Sequence, residues 1–393
     1  MSQLFRGGID LDIPSCEKGI TLVGITMKKI DLVYQTMLAE LGQRSMDAAW
    51  TADFPAEGRF QRVVVKEKSY WYFDIPDGSG GKSRRYVGPA EDGEITRRVE
   101  THQRQKDDLL ARRRMVSSLT REGGMIAPDT MSGAIVEALA SGGLFRLRGV
   151  LIGTVAFQTY AGLLGVRLPA AAILTGDADI AQDYAISREV EDTLPPIVDL
   201  LQNVDSSFRP VPHRSGSIAS SAFQNATGHR VEFLTSNRGS DDYIDQPASM
   251  PALGGASADP LRSLDFLIRD PLRTILLHKG GVPVTVPDPA RYAVHKMIVA
   301  TRRRTDGLSA IKRDKDIRQA EILFEALYET RRASDFAVAF AEAWQRGPAW
   351  QEALQKAANS MLSAQGQDAL NRIRRQGNTE IGLDPPEGVP LST

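Results

Sequence analysis

A chain of 393 residues is long enough for about two or three domains, and its 42% hydrophobic and 25% charged residues are those of an ordinary globular protein. A net charge of −1 excludes a global electrostatic field for nucleic acid or anionic membrane, and a single cysteine, Cys16, excludes an intrachain disulfide. No apolar run is long enough to span a bilayer, and residues 1–15 lack the apolar core of a secretory signal, so a cytoplasmic protein is expected.

Residues 1–18 read as a loosely packed lead-in. Residues 26–43 follow as a helix, with Ile30, Val33, Tyr34, Met37 and Leu41 near helical spacing. Residues 61–65 and 69–75 read as strands. The turn Asp77-Gly78-Ser79-Gly80-Gly81 and a returning strand over 82–87 make a β-hairpin, ended by Gly88-Pro89. A long polar helix is expected over 94–119. Its Arg97, Arg98, Arg104, Lys106, Arg112, Arg113 and Arg114 outnumber Glu100, Asp107 and Asp108. With Tyr70, Trp71 and Tyr72 this stretch, 70–114, reads either as a nucleic-acid footprint of phosphate contacts and stacking faces or as a solvated connector helix. Glu122-Gly123-Gly124 and Pro128 mark a domain boundary.

A helix over 132–140 precedes an apolar strand, Val150 to Ile152, that stops at Gly153-Thr154. A helix over 155–164 is closed by Gly165 as its C′ glycine, and Pro169 prevents continuation. A second strand carries Thr175-Gly176-Asp177-Ala178-Asp179-Ile180. Residues two apart on a strand share a face, so Asp177 and Asp179 point together while Ala178 and Ile180 face the core. Carboxylates this close repel unless a cation lies between them, and oxygen ligands suit Mg²⁺ or Mn²⁺. Gly153 admits a ligand close to the backbone, and Thr154, read as an N-cap, offers a hydroxyl and free N–H groups to an anion. A metal site beside a phosphate cradle is suited to phosphoryl or nucleotidyl transfer.

This order resembles the polymerase-beta-like nucleotidyltransferase superfamily, and in particular a little-characterised bacterial group named for that fold. The blocks Val282-Pro283-Val284-Thr285-Val286-Pro287-Asp288-Pro289 and Tyr292-Ala293-Val294-His295-Lys296 are similar to that group. The likeness covers roughly residues 130–330. It implies a third carboxylate on a later strand, which Glu232 supplies within His229 to Thr235. Lys296 and Arg303 on one helix, then Lys315-Asp316, resemble the basic helix and basic-Asp pair of abortive-infection type nucleotidyltransferase toxins. Thr154 stands for the commoner Ser, Glu232 for the commoner Asp, and Gln319 where the toxins often carry a second Asp.

Between these motifs, residues 189–203 read as an amphipathic helix disturbed by Pro195-Pro196. Strands are expected over 208–211, 218–224, 230–235, 264–268, 274–278 and 282–286, and residues 236–259 read as a long surface loop. Helices follow over 291–304, 315–330, 336–345 and 350–373, then an unstructured tail from Gln376. His102, His213, His229, His278 and His295 show no metal-ligand spacing. An EF-hand loop, a nucleophile elbow and a P-loop are all missing from the sequence.

The resemblance therefore implies an α/β (α+β) nucleotidyltransferase fold. It would have a short mixed sheet over 126–287, a helical C-terminal domain over 288–375 and an N-terminal β-hairpin plus helix over 1–125, with 376–393 as a flexible tail. The activity implied moves an NMP from an NTP to an acceptor hydroxyl on RNA or protein and releases pyrophosphate. Asp177, Asp179 and Glu232 would hold two Mg²⁺ or Mn²⁺ ions, and Gly153, Thr154, Lys296, Arg303 and Lys315 would bind the nucleotide. Two further classes stay open. One is a nucleic-acid-binding adaptor with an inactive transferase core. The other is a toxin-like component of a defence module held off by a regulatory partner protein.

Overall fold

The computed structural model describes residues 27–382, apart from 55–58, 66–67, 77–80, 102–107, 170–176, 190–191, 214, 217–219 and 238–245. The expected lead-in, most of the glycine-rich turn, the Thr175-Gly176 start of the carboxylate strand and residues 383–393 lie outside the described residues.

The N-terminal region holds α1 (Leu32–Asp53), β1 (Arg59–Val65), β2 (Lys68–Pro76), β3 (Lys82–Pro89), α2 (Gly93–Thr101) and α3 (Leu109–Arg121). The expected hairpin is a three-stranded antiparallel sheet in the order β1-β2-β3. Alternation along β2 turns Trp71, Phe73 and Ile75 to one side, where they pack with Phe54, Phe60, Val87 and Ile95. The single long helix expected over 94–119 is two described helices, α2 and α3, with 102–107 between them outside the described residues. Two of its arginines serve the body of the protein. Arg98 pairs with Glu94 and Asp47, and Arg112 donates to the Gly280 carbonyl.

The central region comprises α4 (Thr130–Ser141), β4 (Val150–Ile152), α5 (Gly153–Leu164), β5 (Asp177–Ala181), α6 (Tyr184–Glu189), α7 (Ile197–Gln202), β6 (Arg209–Pro210), β7 (Ala222–Gln224), β8 (Arg230–Ser236), β9 (Ala248–Ser249), β10 (Ser257–Leu261), α8 (Leu264–Leu267), β11 (Leu272–Leu276) and β12 (Val282–Val286). Its main sheet runs β4-β5-β8-β10-β9, with β7 and then β6 branching from β8. β4 is antiparallel to β5, while β5, β8 and β10 are parallel, so the sheet is mixed. Two expectations change here. The segment over 236–259 is not one loop, because β9 and β10 join the sheet. The strand expected over 264–268 is the helical turn α8, closed by Ile268 N–H on the Leu264 carbonyl at 3.0 Å. Periodicity cannot separate strand from helix in so short an apolar run.

The C-terminal region is helical: α9 (Pro289–Arg302), α10 (Gly307–Glu329), α11 (Ala333–Gln345), α12 (Pro348–Ser360) and α13 (Ala364–Ile381). Asp288 caps α9 by accepting the N–H groups of Ala290 and Arg291, with Pro289 pre-set for the first turn. Lys315 stands inside α10 rather than at its start, and α13 carries residues 376–381 as helix instead of tail. Among the described residues no helix is long and apolar enough to cross a membrane.

Candidate active site

The site begins where β4 ends. Ile152 pairs with Asp179 across β4 and β5, and the chain then turns at Gly153 with φ of 68°. A Cβ at Gly153 would lie 2.3 Å from Asp179 Oδ2, so only glycine lets the start of α5 approach that carboxylate. α5 is capped at Ile152, one position earlier than expected, which puts Thr154 in its first turn rather than at the N-cap. First-turn N–H groups have no partner within the helix, so the anion-binding character of this end remains. Gly165 ends α5 in the left-handed conformation expected of it.

The turn is tied to the C-terminal helices through Tyr292 on α9. Its hydroxyl lies 3.0 Å from the Gly153 carbonyl and 2.9 Å from the side-chain amide of Gln319. The hydroxyl proton faces two acceptors, the Gly153 carbonyl and Gln319 Oε1. Tyr292 thus joins the Gly153 turn to Gln319.

On β5 and β8 the side chains alternate. Ala178, Ile180, Val231 and Phe233 are buried, while Asp177, Asp179 and Glu232 open on the other face. Asp179 is level with Glu232 across the parallel pair. Burial, then the charges of Glu232 and Asp177, push the Asp179 carboxyl up to about 6. No hydrogen bond reaches its carboxylate among the described residues, whereas Arg230 Nε holds Glu232 Oε1 at 2.5 Å and Lys312 Nζ lies 3.9 Å from Asp177 Oδ2.

The basic residues come from α9, from Arg303, which stands at its C-cap in extended backbone rather than within the helix expected over 291–304, and from α10. Asp316, 1% exposed, takes Lys296 Nζ on one oxygen and Arg303 Nε on the other, both at 2.5 Å. Burial opposes its charge, but the two cations hold its carboxyl below the usual range. Burial likewise opposes the charge on Lys296, and Tyr292 and Asp316 outweigh it. Lys315 makes no ion pair among the described residues. Its ammonium is pushed down by burial and by Lys296, with Lys312 adding to the effect.

All eight residues singled out from the sequence, Gly153, Thr154, Asp177, Asp179, Glu232, Lys296, Arg303 and Lys315, line one cavity of about 590 Å³. Asp316, named from the sequence only within the Lys315-Asp316 pair, lines it too, as do Arg230, Lys312, His213 and Asp259, which were missed. Lys312 had a local signal, since it precedes Lys315 by three residues on the same helix face. The others depend on strand register or long-range packing.

The donor set suits a hard divalent cation in kind, being carboxylate oxygen throughout, and an unpartnered Asp179 between two like charges is the group such a cation would relieve. Among the described residues no three acidic, histidine or cysteine side chains stand together at ligand spacing. Asp177 and Glu232 face Lys312 and Arg230, which a cation would displace. A nucleotidyltransferase family model matches residues 130–345, which is 216 of the 393 residues. Neither the curated proteins nor the solved structures provide a match.

Proposed function

The chain belongs to that nucleotidyltransferase family and is an enzyme of the class. On this premise we propose that it moves an NMP from an NTP to an acceptor hydroxyl on RNA or protein, releasing pyrophosphate. Asp177, Asp179 and Glu232 would hold Mg²⁺ or Mn²⁺, two ions in the full site. Bound there, the metal would lower the pKa of the acceptor hydroxyl and offset charge on the triphosphate. The first-turn N–H groups of α5 and the Thr154 hydroxyl bind phosphate oxygens, and Gly153 keeps their approach open. Lys315 and Lys312 neutralise charge as pyrophosphate leaves. Lys296 and Arg303, fixed by Asp316, add a rigid positive wall.

One observation carries this reading. Asp179 is half-buried, has no hydrogen-bond partner among the described residues, and lies beside two more carboxylates where a helix N-terminus meets a row of lysines. A folded protein tolerates that arrangement only at a cost, which a bound cation offsets. A reducing cytoplasm, where NTPs are plentiful, suits a chain with one cysteine. RNA as acceptor would draw on the exposed Arg113 and Arg114 of α3.

The test supplies each α-labelled NTP and Mg²⁺, with total cellular RNA in one reaction and total cellular protein in another. The wild-type chain should label one pool, and Asp177→Asn should label neither while keeping its melting transition. Equal labelling by Asp177→Asn, or no labelling of either pool by the wild type with Mg²⁺ or Mn²⁺, would overturn the proposal.

A further inference from the structure

The β10 side of the cavity carries a carboxylate that the reading above leaves unused. Asp259 pairs with Leu234 across the parallel strands β10 and β8, and Leu234 shares a sheet face with Glu232 two residues before it. Strands about 4.8 Å apart, with about 3.3 Å per residue, put the Asp259 and Glu232 Cα atoms on the order of 8 Å apart. Asp259 Oδ1 is buried without a hydrogen-bond partner among the described residues. His213 Nε2 lies 3.2 Å from it, on a side chain 9% exposed. His213 Nδ1 accepts the Ser215 backbone N–H at 3.1 Å, with Ser215 Oγ at 2.7 Å. A neutral ring therefore carries its proton on Nε2, toward Asp259.

The two sides of the cavity differ in charge. Lys296 and Lys312 act on Asp179, on β5, and Lys312 reaches Asp177 on the same strand. The phosphates are drawn to that side and to the α5 N-terminus. An in-line displacement brings the acceptor from the side opposite the leaving pyrophosphate. That side is β8 and β10, with Glu232, Asp259 and the exposed Leu261. The charged groups sharing the sheet face of Asp259 there are Glu232 and Arg230 on β8, with His213 beside it and no titratable group on β9. Arg230 holds Oε1 of Glu232, whereas Asp259, a cavity-lining carboxylate 36% exposed, has no Lys or Arg ion pair among the described residues.

We propose that Asp259 receives the acceptor. The attacking hydroxyl donates its hydrogen bond to the Asp259 carboxylate. As the bond from the acceptor oxygen to the α-phosphorus forms and the bond to pyrophosphate breaks, the hydroxyl proton passes to Asp259. His213 is a positioning residue whose Nε2, 3.2 Å from Asp259 Oδ1, limits where the carboxylate can turn. This inference rests on the nucleotidyl-transfer reading and extends it to the acceptor side.

The experiment uses the full chain, α-labelled NTP, Mg²⁺ and the two acceptor pools, total cellular RNA and total cellular protein. Asp259→Asn should lower the transfer rate about 100-fold, the scale of a lost general base, with NTP affinity within about twofold. Its rate should climb about tenfold per pH unit between pH 6 and 9, as hydroxide replaces the base, while the wild-type rate levels off. His213→Gln should lose about tenfold with NTP affinity unchanged, and it carries the same test if Asp259→Asn folds poorly. A wild-type rate for Asp259→Asn, beside a dead Asp177→Asn, would overturn this inference and leave the transferase reading standing. So would a loss that is the same at every pH and accompanied by lost NTP binding. Activity in Asp177→Asn would remove the underlying reading instead.

Discussion

Replacing Asp179 with Asn should stabilise the metal-free protein while abolishing transfer. Burial and the neighbouring Glu232 and Asp177 raise its carboxyl from 3.8 to about 6. An acid whose pKa is raised by folding costs stability when ionised. That cost is nil below the lower value, grows between the two and is complete above the upper one. At about 1.4 kcal/mol per pH unit, the interval amounts to about 3 kcal/mol at pH 7. Water in the open cavity screens part of it, so a gain of about 1–3 kcal/mol should appear. Urea unfolding in EDTA at pH 7 should show the variant as the more stable protein. The gain should shrink as pH falls and vanish near pH 4. Added Mg²⁺ should stabilise the wild type more than the variant, because binding to the folded state alone shifts unfolding. A variant no more stable than wild type at pH 7, or a gain undiminished at pH 4, would refute the reasoning.

Lys296→Ala removes one partner of the buried Asp316 and should cost about 3 kcal/mol in urea unfolding along with NTP affinity. Lys315→Ala breaks no ion pair among the described residues, so stability should stay within about 0.5 kcal/mol while the KM for NTP rises several-fold in steady-state transfer. Gly153→Ala forces a side chain into a left-handed turn and against Asp179. It should destabilise the fold by about 1–3 kcal/mol and eliminate transfer, checked by melting and labelling together. Arg113→Ala with Arg114→Ala, Arg112 being kept for its bond to Gly280, should weaken RNA binding and reduce the slope of log affinity against log salt by about 1–2, with NTP binding unchanged. Unaltered RNA binding would return α2 and α3 to the role of connectors.

The sequence by itself determined the strand, the Gly153-Thr154 turn, the helix ending at Gly165 and the shared face of Asp177 and Asp179. These follow from local rules: a two-residue period along strands, a glycine where φ is positive, and a helix stopped by glycine and proline. The resemblance carried Glu232 and the basic residues of α9 and α10 into the same site, since a family pattern encodes what periodicity does not. Tertiary structure decided the rest. β10 is short, contains Pro260 and follows a segment rich in glycine and serine; it becomes a strand only by pairing with β8, and that pairing brings Asp259 to the cavity. Lys296 and Arg303 meet at Asp316 because α9 and α10 pack together, which no spacing of charges within one helix reports. Tyr292 reaches Gly153 across 139 residues, and Arg112 reaches Gly280 across 168. Backbone preference acts over a few residues, whereas the partner of a buried polar group is whichever chain segment close packing brings within about 3 Å, and that choice belongs to the folded molecule alone.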